Sequence, residues 1–218
     1  MPTFLSRSAA RLGWALAAVL SVAVALFSYR YVTFAGLLAD NVMANLMARP
    51  WIAVHAGGAA TALLVGCFQF LPAVRRRRPL HRWLGRLYAA GCLIGGGAAL
   101  VLAPTTTAGP VAAFGFGVLG VLWIWTTVQA WRAAHARRFD DHRRWMIRSF
   151  ALTFGAVTLR LYLPIGPMLG LDFMQTYVAV SWLSWVPNLA IVEAYLRRES
   201  GRNGEHRSLL TDPVSSRA

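Results

Sequence analysis

The sequence predicts an all-α fold, a polytopic membrane helical bundle of about six transmembrane helices with both the N- and C-termini cytoplasmic. Three observations point there. Hydrophobic side chains make up 57% of the 218 residues and charged ones only 14%, where a soluble domain carries about a quarter charged residues. The apolar residues collect into stretches near the roughly 20 residues a helix needs to cross a bilayer, and none alternates as a barrel strand would. The basic residues, all 22 of them Arg, gather between alternate stretches, which is the pattern of cytoplasmic loops.

In chain order the spans are expected at 12-34, 51-71, 81-103, 110-134, 142-163 and 174-196. The first follows Arg7 and Arg11. Its Ala23, Val24 and Ala25 would suit a signal-peptide cleavage site, but the apolar run continues through Phe27, Tyr29 and Tyr31, which favours an uncleaved anchor. Residues 35-48 align Leu38, Val42 and Leu46 if helical, so an interfacial helix and a plain loop both stand. Pro72, Pro104 and Pro164 follow span ends, and Pro110 suits a first helical turn, because proline has a fixed φ and no N–H to donate. Pro187 lies within the sixth span beside Ser184 and Asn188, where a kink is expected. From Ser200 the composition turns polar. Residues 1-199 therefore read as a single transmembrane domain and 200-218 as a disordered cytoplasmic tail.

With the N-terminus inside, every Arg except Arg30, Arg49 and Arg160 falls on the cytoplasmic side. A net charge of +14 raises the question of nucleic acid. Arg residues that track alternate loops report topology and headgroup attraction instead, so the partner is the lipid bilayer and no nucleic acid is expected. Cys67 and Cys92 lie inside spans and read as small packing residues. Ser149 and Ser184 have no convincing His and carboxylate partners, and no metal-protease or phosphate-loop motif occurs, which argues against a hydrolase. Whether the chain is an enzyme at all stays open.

The chemistry available lies mostly in the histidines. At about 100° per residue, the second span puts His55, Gly58, Ala59, Ala62, Gly66 and Gln69 on one face. The third puts His81, Gly85, Tyr88, Cys92, Gly95, Gly96 and Ala99 on one face. Such small residues let helices approach closely, or make room for a flat cofactor. The fifth span aligns His142, Met146, Ser149, Thr153 and Arg160. His81 and His142 both open their spans from the cytoplasm and share a layer. Two neutral imidazoles facing each other across a bundle are the usual axial ligands of a low-spin haem iron, and Arg82, Arg86, Arg143 and Arg148 offer counter-charges for its propionates. A cofactor site for haem b is therefore expected between His81 and His142. His135, at the end of the fourth span, reads as an interfacial residue, and His206 carries no signal. An Arg as deep as Arg160 is costly. Its expected partners are Asp40, Asp172, carbonyls freed near Pro164, or an anionic or quinone-like ligand. An outer-leaflet ligand pocket of His55, Gln69 and Arg160 is the alternative functional site, that of a transporter or small-molecule-binding protein.

The stretches HAGGAATALLVGCFQF, HRWLGRLY and DHRRWMIRSFALTFGAVTLRLYLP together resemble the bacterial membrane family catalogued as domain of unknown function 2306, over about residues 51-190. The resemblance implies a multi-pass protein of the bacterial inner (plasma) membrane and names no activity. The residues His81, Arg82, Trp83, Leu84 and Gly85 are similar to a helix start in the cytochrome b561 family, whose members hold two haems between four helices and pass electrons across the membrane. That likeness implies one haem b between His81 and His142, with a quinone or another redox partner. It leaves the second haem without a ligand, because Pro110 to Gly120 holds no His to meet His55.

Overall fold

The computed structural model describes residues 4-34 and 48-211. The expected segment 35-48 thus lies, apart from Ala48, outside the described residues. The elements are α1 (Phe4–Ser28), α2 (Arg30–Thr33), α3 (Arg49–Gln69), α4 (Pro72–Arg76), α5 (Arg78–Leu102), a 3-10 turn (Ala103–Thr105), α6 (Pro110–His135), α7 (Phe139–Thr153), α8 (Gly155–Tyr162), α9 (Ile165–Met168), α10 (Phe173–Leu183) and α11 (Val186–Thr211). Among the described residues, five helical stretches are long and apolar enough to cross a membrane: 11-33, 49-69, 78-105, 110-135 and 139-168.

Local chemistry sets the ends. Pro50, Pro79 and Pro110 sit in the first turns of α3, α5 and α6, where a missing N–H costs nothing. Gly109 precedes α6 at φ +85°, a left-handed conformation that favours glycine. The Asp172 side chain accepts from the backbone N–H groups of Met174 at 2.7 Å and Gln175 at 3.1 Å, capping α10.

The passes alternate in direction. Trp14, early in α1, packs against Phe70 and Phe150 with ring centroids 5.3 and 5.8 Å away. At the other end of α1, Ser28 meets Arg160. In the α3–α5 pair His55 reaches Gly95 and Gln69 reaches His81, so these helices run antiparallel. The pair is tight. A Cβ added at Gly58 would lie 2.7 Å from the Gly95 nitrogen and 2.8 Å from the Gly91 oxygen. The glycine-rich middles of the two His-bearing faces therefore fill each other and leave no groove for a flat cofactor. Open space remains toward the two ends.

The sixth pass differs most from expectation. It is two helices broken at Ser184 and Trp185. α10 lies against the start of α6, with Tyr177 on Phe116 at 5.5 Å and Trp182 Nε1 donating to the Val111 carbonyl at 3.3 Å. α11 descends along α7, where Arg148 meets Glu193 and Arg143 meets Glu199. Asn188 Nδ2 clamps the break by donating to Thr158 Oγ1 at 2.9 Å and the Ser184 carbonyl at 3.0 Å. The helix does not stop at residue 199 but runs to Thr211. Arg143 and Arg144 grip Glu199 and Ser200 where the polar tail was expected to begin. Residues 212-218 lie outside the described residues.

Candidate functional site

Two cavities open toward opposite ends of the bundle, and each holds histidine. The inner one, about 360 Å³, is lined by Gln69, His81, Arg82, Gly85, Arg86, Tyr88, Thr127, His135, His142 and Met146 among others. His81 and His142 stand in the first turns of α5 and α7. A carbonyl can only accept, so the 2.9 Å contact between His142 Nδ1 and the Ala130 oxygen places the proton on Nδ1. In the neutral ring the Nε2 lone pair is then free. A backbone carbonyl on the far nitrogen is the usual way a ligating histidine is aimed. His81 Nδ1 is buried and has no hydrogen-bond partner. Gln69 Nε2 donates to the His81 carbonyl at 3.2 Å, pinning the start of α5 to the end of α3. Arg82 and Arg86 are exposed at the rim, and the Arg86 guanidinium lies 5.0 Å from the Trp83 ring centroid.

Arg143 and Arg148, expected beside them, do not line this cavity. Arg148 grips Glu193 through Nε at 2.5 Å and a second nitrogen at 3.0 Å, while Arg143 bonds Glu199 at 2.8 Å and the Tyr195 hydroxyl at 3.2 Å. Helical phase explains it. Met146, which shares the cavity with His142, stands about 40° from it around α7, whereas Arg143 and Arg148 stand about 100° or more away. They face the acidic side of α11 instead.

The outer cavity, about 280 Å³, is lined by His55, Ala59, Ala99, Phe116, Leu119, Trp123, Thr153, Ala156, Arg160, Tyr177 and Ser184 among others. His55 Nδ1 donates to the Gly95 carbonyl at 2.9 Å, so this ring too is held from behind with Nε2 free. Arg160 donates to the Ala156 carbonyl at 2.9 Å and to Ser28 Oγ at 2.8 Å. Both acceptors are neutral. Of the expected acidic partners, Asp172 is engaged in capping α10 and Asp40 lies outside the described residues. Gln69 does not join this pocket. It shares a face with His55 but lies 14 residues further along α3, about 21 Å in depth.

A chain of hydroxyls links the cavities through the buried centre. Thr127 Oγ1 meets Ser149 Oγ at 2.8 Å, Ser149 meets the Tyr88 hydroxyl at 2.8 Å, and Tyr88 meets Thr153 Oγ1 at 2.9 Å. Tyr88 and Thr127 line the inner cavity, and Thr153 lines the outer. The chain can be ordered in either direction. Thr153 can end it on the Ser149 carbonyl at 2.9 Å, or Thr127 on the Trp123 carbonyl at 2.8 Å. Trp123 Nε1 donates to Thr153 Oγ1 at 2.8 Å in both. Ser149, Thr153 and Tyr88 already stand on the two His-bearing faces in the sequence. Thr127 and Trp123 gave no signal there, because α6 bears no ionisable residue over its membrane portion.

A family model described as predicted membrane protein (DUF2306) matches residues 52–196, more than half of the chain. No curated protein and no solved structure matches.

Proposed function

The chain belongs to this family of predicted membrane proteins, domain of unknown function 2306, and from that premise we propose that it is a b-type haem-binding redox protein of the bacterial inner membrane, in which His81 and His142 would hold the haem. The observation that carries the reading is one cavity lined by His81 of α5 and His142 of α7, the latter aimed by the Ala130 carbonyl, with His135 of α6 also in the wall and turned back onto the Trp131 carbonyl of its own helix. The donor set fits. No group of three or more His, Cys, Asp or Glu among the described residues could hold a metal ion such as zinc, whereas His81 and His142 are of the residue type that would hold a haem iron. Gly85 leaves the cavity wall low, with only the Gln69 side-chain nitrogen, at 3.8 Å, near the position of an added Cβ. Arg82 and Arg86 stand at the exposed rim, where propionates would meet both charge and water. Haem held there would supply one-electron transfer, with a quinone or another membrane redox partner as donor or acceptor. The protein's own part is to aim the His142 ring through the Ala130 carbonyl, to anchor the start of α5 through Gln69 and to line the site with α5, α6 and α7.

An absorption spectrum of purified protein, oxidised and then reduced, is the test. A Soret band with sharp reduced bands is expected, and His81→Ala or His142→Ala should each abolish the low-spin spectrum, since either leaves one axial position without its ligand. Wild-type protein that stays colourless after haem supplementation overturns the reading.

A further inference from the structure

The outer cavity carries chemistry that the haem reading does not use. Arg160 lies within a span, where an ionised side chain is expensive and is normally matched by an opposite charge. Its guanidinium has five N–H donors, and its side-chain partners are a carbonyl and a hydroxyl. No carboxylate lines the cavity among the described residues. Arg30 adds to the imbalance, since it lines an adjoining hollow together with Arg160 and Tyr31. Another polar atom in the wall lacks a partner: Ser184 is 0% exposed, and its Oγ makes no hydrogen bond. Elsewhere in the core Ser21, Ser28, Thr126 and Thr127 each donate to the carbonyl four residues back. Ser184 stands at the break between α10 and α11, in the wall of this cavity, and makes no such bond.

We infer that this cavity binds an organic anion, a carboxylate on a flat apolar body that also bears a hydroxyl. The carboxylate meets N–H groups of Arg160 and supplies a negative charge that no described residue of the wall provides. Phe116, Leu119 and Trp123 cover the apolar body. The hydroxyl of the ligand donates to His55 Nε2 or pairs with Ser184 Oγ. A neutral quinone would satisfy those two groups but leave the charge of Arg160 uncompensated. The site is independent of the haem reading, because it shares no residue with the inner cavity.

The test is calorimetric titration of the full chain in lipid nanodiscs with 3-hydroxy-2-naphthoate, its neutral amide and menadione, each corrected against protein-free nanodiscs. The naphthoate should bind in about one-to-one ratio. The amide, and the naphthoate against Arg160→Gln, should each bind at least about tenfold more weakly, the loss expected when a charge-assisted pair is removed from a low-dielectric site. Ser184→Ala should weaken binding severalfold and removes no charge, so it remains informative if Arg160→Gln fails to fold. Equal binding of naphthoate and amide, menadione binding that is tighter and indifferent to Arg160→Gln, or no heat above that of empty nanodiscs would each overturn the inference. The haem spectrum is recorded on the same preparation, so failure of one reading is seen separately from failure of the other.

Discussion

At Gly58 the backbone of α3 comes so close to α5 that the nearest atoms to an added methyl are a backbone nitrogen at 2.7 Å and a backbone oxygen at 2.8 Å. A rigid backbone cannot rotate aside as a side chain can. Gly58→Ala should therefore push the helices apart and cost about 1–3 kcal/mol, the range for overpacking a tight core. Gly97 is the internal control, because a Cβ there meets nothing within 4 Å. Gly97→Ala should be neutral or slightly stabilising, helped by the better helix propensity of alanine. Denaturant unfolding of the two variants in micelles, followed by circular dichroism, separates the cases. The faces that hold Gly58 and Gly95 are legible in the sequence as series of small residues. What they do is not, since small residues equally allow close helices or an inserted cofactor, and only the neighbouring face decides. The same limit applies to Tyr88, Ser149 and Thr153. Their faces are readable, but their meeting is a contact between residues 61 and 65 positions apart.

At the scale of the element, the sixth pass shows how one residue divides a span. Pro187 has no N–H to give to the Leu183 carbonyl, and its ring crowds that group. α10 ends at Leu183. The sequence marks the proline and so a bend. The full break, and the swing of α10 onto the start of α6, depend on where Trp182 and Tyr177 find partners. With 11 residues, α10 is about 16 Å long and cannot cross a bilayer alone. Asn188 joins the pieces by donating to both Ser184 and Thr158. Asn188→Ala should free the Ser184 carbonyl from its clamp and loosen α10 more than α11, since α11 keeps its ion pairs with Arg143 and Arg148. Hydrogen exchange read by mass spectrometry should rise over peptides covering 173-183 by about tenfold or more, while peptides covering 190-202, in α11, change little. Equal acceleration in both regions would mean that the side chain supports the whole bundle and not the joint. The Arg143 and Arg148 pairing was hidden for a related reason: Glu193 and Glu199 lie near the end of the sixth span, and helical phase on α7 alone does not say which neighbour each face will meet.

Across the whole molecule, helix faces are legible from the sequence but depths and partners are less so. Gln69 illustrates this, because periodicity puts it on the face of His55 while the length of α3 carries it to the opposite cavity. The expected orientation rests on a summed charge bias and not on any single contact. The packing is consistent with it. Trp14 of α1, Phe70 after α3 and Phe150 of α7 meet near one end of the bundle, and Glu199 of α11 joins Arg143 at that end as well. If α10 and α11 together make a sixth pass, the start of α1 and the end of α11 lie on the side of Arg75, Arg76, Arg77 and Arg78. Reporter fusions after residues 79, 107, 139 and 168 should therefore read cytoplasmic, external, cytoplasmic and external in turn. Replacing Arg75, Arg76, Arg77 and Arg78 with Asn tests the cause, because each positive charge retained on the cytoplasmic side adds to the orientation bias. That variant should give mixed orientation at residues 79 and 107. The reporters at 139 and 168 should hold, because Arg132, Arg137, Arg138, Arg143, Arg144 and Arg148 still anchor the next loop. A reporter at 79 found outside in the wild-type chain would invert the bundle, moving His81 and His142 to the external face and Arg160 to the cytoplasmic leaflet. The proposed haem would then exchange electrons with partners on the opposite side of the membrane, although its two ligands would be unchanged.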